Sequence, residues 1–306
     1  MKNMIKKVPV PICGLMLATA ALGNLLQSYS ETIRQLCGVF AAILLVPVVL
    51  KLIMFPGAVK EDMNNPIMAS IAGTFSMALM ILSTYVKPTI GQAAYYIWLL
   101  AIVLHIALII YFTIKFLIKL QIEKVFASYY IVYVGIVVAA ITAPVYEKQS
   151  VGIAAFRFGF VALLLLLLLV TYRYIKFPKV PDPAKPLFCI YAAPTSLCLA
   201  GYIQSVSQKS YSFLVGLFVV ATAIYIFVLV KAIGYLKLPF YPSYAAFTFP
   251  FVISAIATKQ TMACMANMGR SAPFLQYVVL IETVVAVLLV IYTYLRYMVF
   301  LFGGQK

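Results

Sequence analysis

The chain has 306 residues, 65% of them hydrophobic and only 10% charged, and its mean hydropathy is +1.07. Soluble domains run at roughly 45–50% apolar and about 25% charged residues, so this composition excludes one and indicates a polytopic membrane protein. The net charge of +16 comes from basic residues placed between apolar spans, which points to membrane topology and an anionic partner rather than to nucleic acid.

A stretch of about 20 apolar residues crosses the hydrocarbon layer. That rule predicts ten spans, near 9–27, 33–54, 66–86, 92–114, 126–144, 151–172, 187–206, 211–231, 242–263 and 272–295. The N-terminal run resembles a signal peptide, but Pro9 and Pro11 precede it and Gly23-Asn24-Leu25 continue it, so it reads as a retained first span. Of the 23 Lys and Arg, 16 fall at the termini and on the even-numbered connections. The positive-inside rule then predicts both termini in the cytoplasm of a cell with this chain in its plasma or inner membrane.

The spans repeat. Odd spans begin near 9, 66, 126, 187 and 242, at intervals of 55–61 residues. Each unit is a hairpin: a span, a short outer turn, a second span and a longer basic loop. Residues 1–306 therefore read as one transmembrane domain with hairpins over 9–54, 66–114, 126–172, 187–231 and 242–295. Odd spans carry small and weakly polar residues, as in GLMLATAALGN (14–24) and YAAPTSLCLAG (191–201), whereas even spans are greasier, as in VALLLLLLLV (161–170). Small residues let helices approach closely, and Leu/Val runs suit lipid. The expected architecture is all-α: five inner and five outer helices in a quasi-fivefold ring around a central pore. The fifth span is the least clear member, because its first half is aromatic.

No nucleophile elbow, paired carboxylates, phosphate loop or metal spacing is present, so an enzyme, a cofactor and a metal site are not expected. The five cysteines form no C-x-x-C pair, so neither metal binding nor a disulfide framework is expected of them, and His105, Cys189 and Cys198 read as packing residues. Glu282 is the one acidic residue well inside a span; it reads as a structural partner of a base such as Arg157 or Arg34 or as a contact between protomers, with a relay or counter-ion as the functional alternative. Pro250 within span nine predicts a helix kink, with Phe247, Phe249 and Phe251 around it. A large ring at such a kink would plug a pore, and the residues alone leave open which ring does so. Gly14, Gly73, Thr74, Pro194, Thr195, Thr248 and Pro250 are the candidate pore-lining residues. Lys259 lies ten residues beyond Phe249, about 15 Å along a helix, toward the outer end of span nine. With Arg34 and Arg157 at similar depth it forms a candidate anion-attracting vestibule.

Four stretches carry a resemblance: VPVPICGLMLATAALGNL (8–25), FPGAVKEDMNNPIMASIAGTFSMAL (55–79), YAAPTSLCLAGY (191–202) and YAAFTFPFVISAIAT (244–258). The chain resembles, over essentially its whole length, the tellurite-resistance/dicarboxylate transporter family, which includes bacterial TehA and the plant guard-cell slow anion channels. The resemblance implies five helical hairpins with a pore through each protomer, a homotrimer, and occlusion of the pore by a phenylalanine on the ninth helix, here Phe249. The plant channels carry long regulatory tails; the segments outside the first and last spans here are short, so control through them is not expected. The implied function is a passive anion channel or channel-like anion transporter for small inorganic or organic anions. The alternative is a coupled exporter of a small oxyanion or dicarboxylate such as tellurite, sulfite or malate.

Overall fold

The computed structural model describes residues 2–303, and every element among them is helical. The principal helices are α1 (Ile12–Leu26), α2 (Glu31–Met54), α3 (Gly73–Ile90), α4 (Gln92–Phe112), α5 (Val138–Thr142), α6 (Gln149–Lys176), α7 (Ala192–Ser205), α8 (Tyr211–Tyr235), α9 (Phe249–Asn267) and α10 (Leu275–Phe302). Local chemistry sets several boundaries. Ser30 and Ser210 cap α2 and α8 by accepting from the backbone N–H three residues on. Gly91, at φ +55°, makes the one-residue turn between α3 and α4, a left-handed conformation that a side chain would strain.

Among the described residues, seven helices are long and apolar enough to cross a membrane. α9 falls outside that set because Lys259 and Gln260 sit at its middle. α1 is short, and the fifth segment is divided between helical turns over Tyr129–Tyr133, Gly135–Val137 and α5. Burial separates the segments into two classes. The most apolar windows of α2, α4, α6, α8 and α10 are only 22–33% buried, whereas those of Pro66–Ile90 and Asp182–Ser205 are 67% and 89% buried. α1 is buried at every residue except Asn24 and Leu26. With no aqueous drive to separate them, Leu- and Val-rich faces stay in lipid while small-residue helices pack closely inside. α1 packs against α3, α3 against α5, α5 against α7, α7 against α9, and α9 against α1.

Each interior segment contains a helix boundary. Helix boundaries fall at Ile12, Gly73, Gly135, Ala192 and Phe249, 57–62 residues apart. The kink expected inside a continuous ninth helix is instead such a boundary. A 3₁₀ stretch over Pro242–Phe247 ends at Thr248 (φ −108°, ψ −82°), and α9 starts afresh with Pro250 in its first turn. There the missing N–H leaves no carbonyl unsatisfied, so proline is tolerated. Pro194 occupies the first turn of α7 in the same way, after the 3₁₀ stretch Asp182–Tyr191.

Candidate functional site

A cavity lies where these five helix boundaries meet. Its wall takes residues from every interior segment: Pro11 and Gly14; Ile71, Thr74 and Met77; Tyr130, Val134 and Gly135; Ile190, Pro194 and Leu197; Ser243, Ala246, Phe249 and Pro250. The cavity volume is about 50 Å³, enough for a few waters. The wall carries no charged side chain. Two of its three hydroxyls bond the backbone, Thr74 Oγ1 donating to the Ile71 carbonyl at 2.7 Å and Tyr130 Oη to the Leu166 carbonyl at 3.3 Å, while Ser243 Oγ is buried without a partner. The Thr74 bond, to the carbonyl three residues back, satisfies a hydroxyl locally within an apolar segment. A solute in this space therefore meets aliphatic groups, one phenylalanine ring and weak dipoles.

The three phenylalanines of the ninth segment differ in placement. Phe249 lines the cavity. Phe247 turns edge-on to Tyr244, ring centroids 4.9 Å apart, and Phe251 turns edge-on to Tyr225 at 5.7 Å; both are fully buried. Gly14, Thr74, Pro194 and Pro250 lie on the cavity wall as well. Gly73, Thr195 and Thr248 do not. A Cβ on Gly73 would meet Ile131 and Leu108, with His105 Cε1 at 3.4 Å, so that glycine faces the α4 side. Thr248 Oγ1 donates to the Ala245 carbonyl at 2.6 Å, and Thr195 Oγ1 is buried away from the cavity without a partner.

The sequence model of the voltage-dependent anion channel family matches residues 7–298. The chain belongs to this family. It is the same family as the tellurite-resistance/dicarboxylate transporters, and membership places the chain among membrane-embedded, multi-pass anion channels and transporters. No curated protein sequence matches the chain significantly.

For an anion channel family member, the placement of the candidate vestibule cations matters. Lys259 Nζ donates to the Leu25 carbonyl at 2.9 Å and to Ser28 Oγ, and it stands 5.2 Å from the Tyr29 ring centroid. Arg34 pairs with Glu31 at 2.6 Å, bonds Asn24 Oδ1 and lies over the Tyr85 ring. Both therefore hold the turn between α1 and α2. Arg157 is apart from them, exposed on α6. The base expected beside Glu282 is absent: Arg34 is taken by Glu31, and no lysine or arginine lines the pocket around Glu282. His105 is fully buried, its ring nitrogens within hydrogen-bond distance of Ser76 Oγ (2.8 Å) and the Val132 carbonyl (3.0 Å), as a packing residue should be.

Sequence reasoning missed Met77, Tyr130, Val134, Gly135, Ile190, Leu197 and Ser243 on the wall. A signal was present in the helical spacing. Ile71, Thr74 and Met77, like Ile190, Pro194 and Leu197, recur three or four residues apart and so share one face.

Proposed function

We propose that this protein is a passive anion channel whose permeation path runs through the cavity and is closed by the ring of Phe249. The observation that carries the reading is the cavity wall: every interior segment contributes to it at its helix boundary, and of Phe247, Phe249 and Phe251 only Phe249 reaches it. The circuit of contacts from α1 through α9 supports five hairpins arranged as a quasi-fivefold ring with this cavity on its axis. Conduction requires binding firm enough to admit an ion and weak enough to release it. A lumen without fixed charge meets that requirement for a partly dehydrated anion, where a buried lysine or arginine would trap it. The excess of cytoplasmic Lys and Arg supports termini on the cytoplasmic side of a plasma or inner membrane, with lipid against the even-numbered helices. Family membership supports a homotrimer with one path per protomer.

Reconstituted in liposomes, the protein with Phe249 truncated is expected to dissipate a chloride or nitrate gradient and to leave a potassium gradient in place. Equal leakage of potassium would overturn the reading. Lys259 stands at the outer mouth as the cation that raises local anion concentration. Lys259→Ala is expected to lower anion conductance about twofold at low ionic strength and to have no effect at about 1 M salt, where the Debye length shrinks to about 3 Å. A loss that persists in high salt would assign the lysine to holding the α1–α2 turn instead.

The alternative, a coupled exporter of a small oxyanion or dicarboxylate such as tellurite, sulfite or malate, finds support in one feature. Glu282 is a membrane-buried carboxyl without a cationic partner, the kind of group that proton-coupled carriers use.

A further inference from the structure

Glu282 lies on α10, 3% exposed, about 10 Å in from the outer end of that helix. It faces a second, smaller pocket beside the central cavity, walled by Ser196 of α7, Thr222 and Tyr225 of α8, and Ser254 and Thr258 of α9. Two polar atoms here are buried without a partner: Glu282 Oε2 and Tyr225 Oη. The pocket is too small to hold a water.

An ionised carboxylate in this place would have neither water nor a cation. The effective penalty for burying such a charge is several kcal/mol. Tyr225 is the one titratable neighbour on the pocket wall, and it carries no compensating charge. α1 and the Pro242–Phe247 stretch also pack on α10, and their titratable groups are Cys13 and Tyr244, again without charge. Lys259 follows Thr258 on α9 but directs its ammonium to Leu25 and Ser28.

The pocket is also tied to the segment that bears Phe249. Ser254 Oγ lies 3.0 Å from Ser196 Oγ and 2.9 Å from the Pro250 carbonyl, and Pro250 adjoins Phe249 on the cavity wall. Thr258 is the next turn of the same helix.

We propose that this pocket is a proton-binding site, with the Glu282 carboxyl as the acceptor, and that its occupancy sets how α9 packs against α7 and α8. The neutral acid fits the dry pocket. Loss of the proton leaves a charge that water must reach, so α9 has to part from its neighbours. The closed packing is thus favoured at low pH and weakened as pH rises through the titration of Glu282. The link to conduction rests on the anion-channel reading; the proton site itself does not.

Infrared spectroscopy of the purified protein in liposomes tests the site alone. At about pH 6 an ordinary glutamate, with a pKa near 4.3, is ionised. The wild-type protein is expected to show the C=O stretch of a protonated carboxylic acid there, and Glu282→Gln to lack it. Absence of that band from the wild type would overturn the proposal whatever the variant does. Flux assays test the link. Wild-type anion flux is expected to rise several-fold as pH rises through the titration of the band, and Glu282→Gln, which mimics the protonated acid, to stay at the low-pH level. A Glu282→Gln profile that follows the wild type would overturn the coupling to α9. Replacing sodium and potassium by N-methylglucamine at fixed pH is expected to change nothing; a loss of the effect would overturn the proton in favour of a metal cation. A titrating band in a protein that conducts no anion would retain the proton site and contradict the channel.

Discussion

Replacing Phe249 by alanine is expected to raise anion conductance by at least about tenfold, equivalent to lowering the permeation barrier by about 1.4 kcal/mol. The ring is the largest apolar group on the cavity wall contributed by the ninth segment, and it stands in the first turn of α9. Removing it widens the space without disturbing a hydrogen bond. The neighbouring rings supply the control. Phe247 and Phe251 are fully buried against Tyr244 and Tyr225, so their truncation leaves a closed void in the packing. Such Phe→Ala changes cost about 3–5 kcal/mol. Phe247→Ala and Phe251→Ala are therefore expected to lower the melting temperature in detergent and not to raise conductance per correctly folded channel. If either of them conducts like Phe249→Ala, the occluding ring has been misassigned.

The second large effect is expected at Gly23, where α1 meets α2 and α3. A Cβ there would lie 2.2 Å from Tyr85 Oη, 2.8 Å from Cys37 Cβ and 3.0 Å from the Arg34 carbonyl. The Tyr85 hydroxyl is buried and donates to the Ala20 carbonyl at 2.6 Å, while its ring carries the Arg34 guanidinium at 4.4 Å. Gly38 on α2 opens the other side of the slot, since a Cβ there would meet the Tyr85 ring at 2.6 Å. Gly23→Ala thus displaces the tyrosine and pushes α2 outward, at a cost of about 1–3 kcal/mol from overpacking and a similar amount from the lost hydrogen bond. A melting temperature lowered by several degrees is expected. Adding Tyr85→Phe removes the atom that clashes first, so the double variant is expected to be less destabilised than the two single changes summed. An unchanged melting temperature in Gly23→Ala would contradict this packing.

Much of the architecture was legible because lipid and protein select different residues. The Leu/Val runs of α6 and the small residues of α1 and α7 predicted outer and interior helices, and burial follows that division. The helix boundaries were harder to read. Pro250 in an apolar run is compatible with a kinked helix or with a helix that stops and restarts, and only the backbone at Thr248 decides between them. Rotational phase was the other obstacle. Successive residues on a helix point about 100° apart, so Pro194 reaches the cavity while Thr195 does not, and Thr74 does while Gly73 faces His105. The fifth segment hid its contribution because aromatic Tyr130 and Tyr133 broke the small-residue pattern; Gly135, at its helix boundary, was the available clue. Glu282 was visible as an anomaly, but the missing cation beside it was not, because that depends on which helices surround α10.

The most direct test of a passive anion pathway is the reversal potential of Phe249→Ala in a planar bilayer, first under a chloride gradient and then under a pH gradient at symmetrical chloride. A channel gives a reversal potential at the chloride equilibrium potential in the first case and at zero in the second, whatever pH does to the size of the current. A potential that moves with the pH gradient would show protons travelling with the anion and would contradict the passive pore.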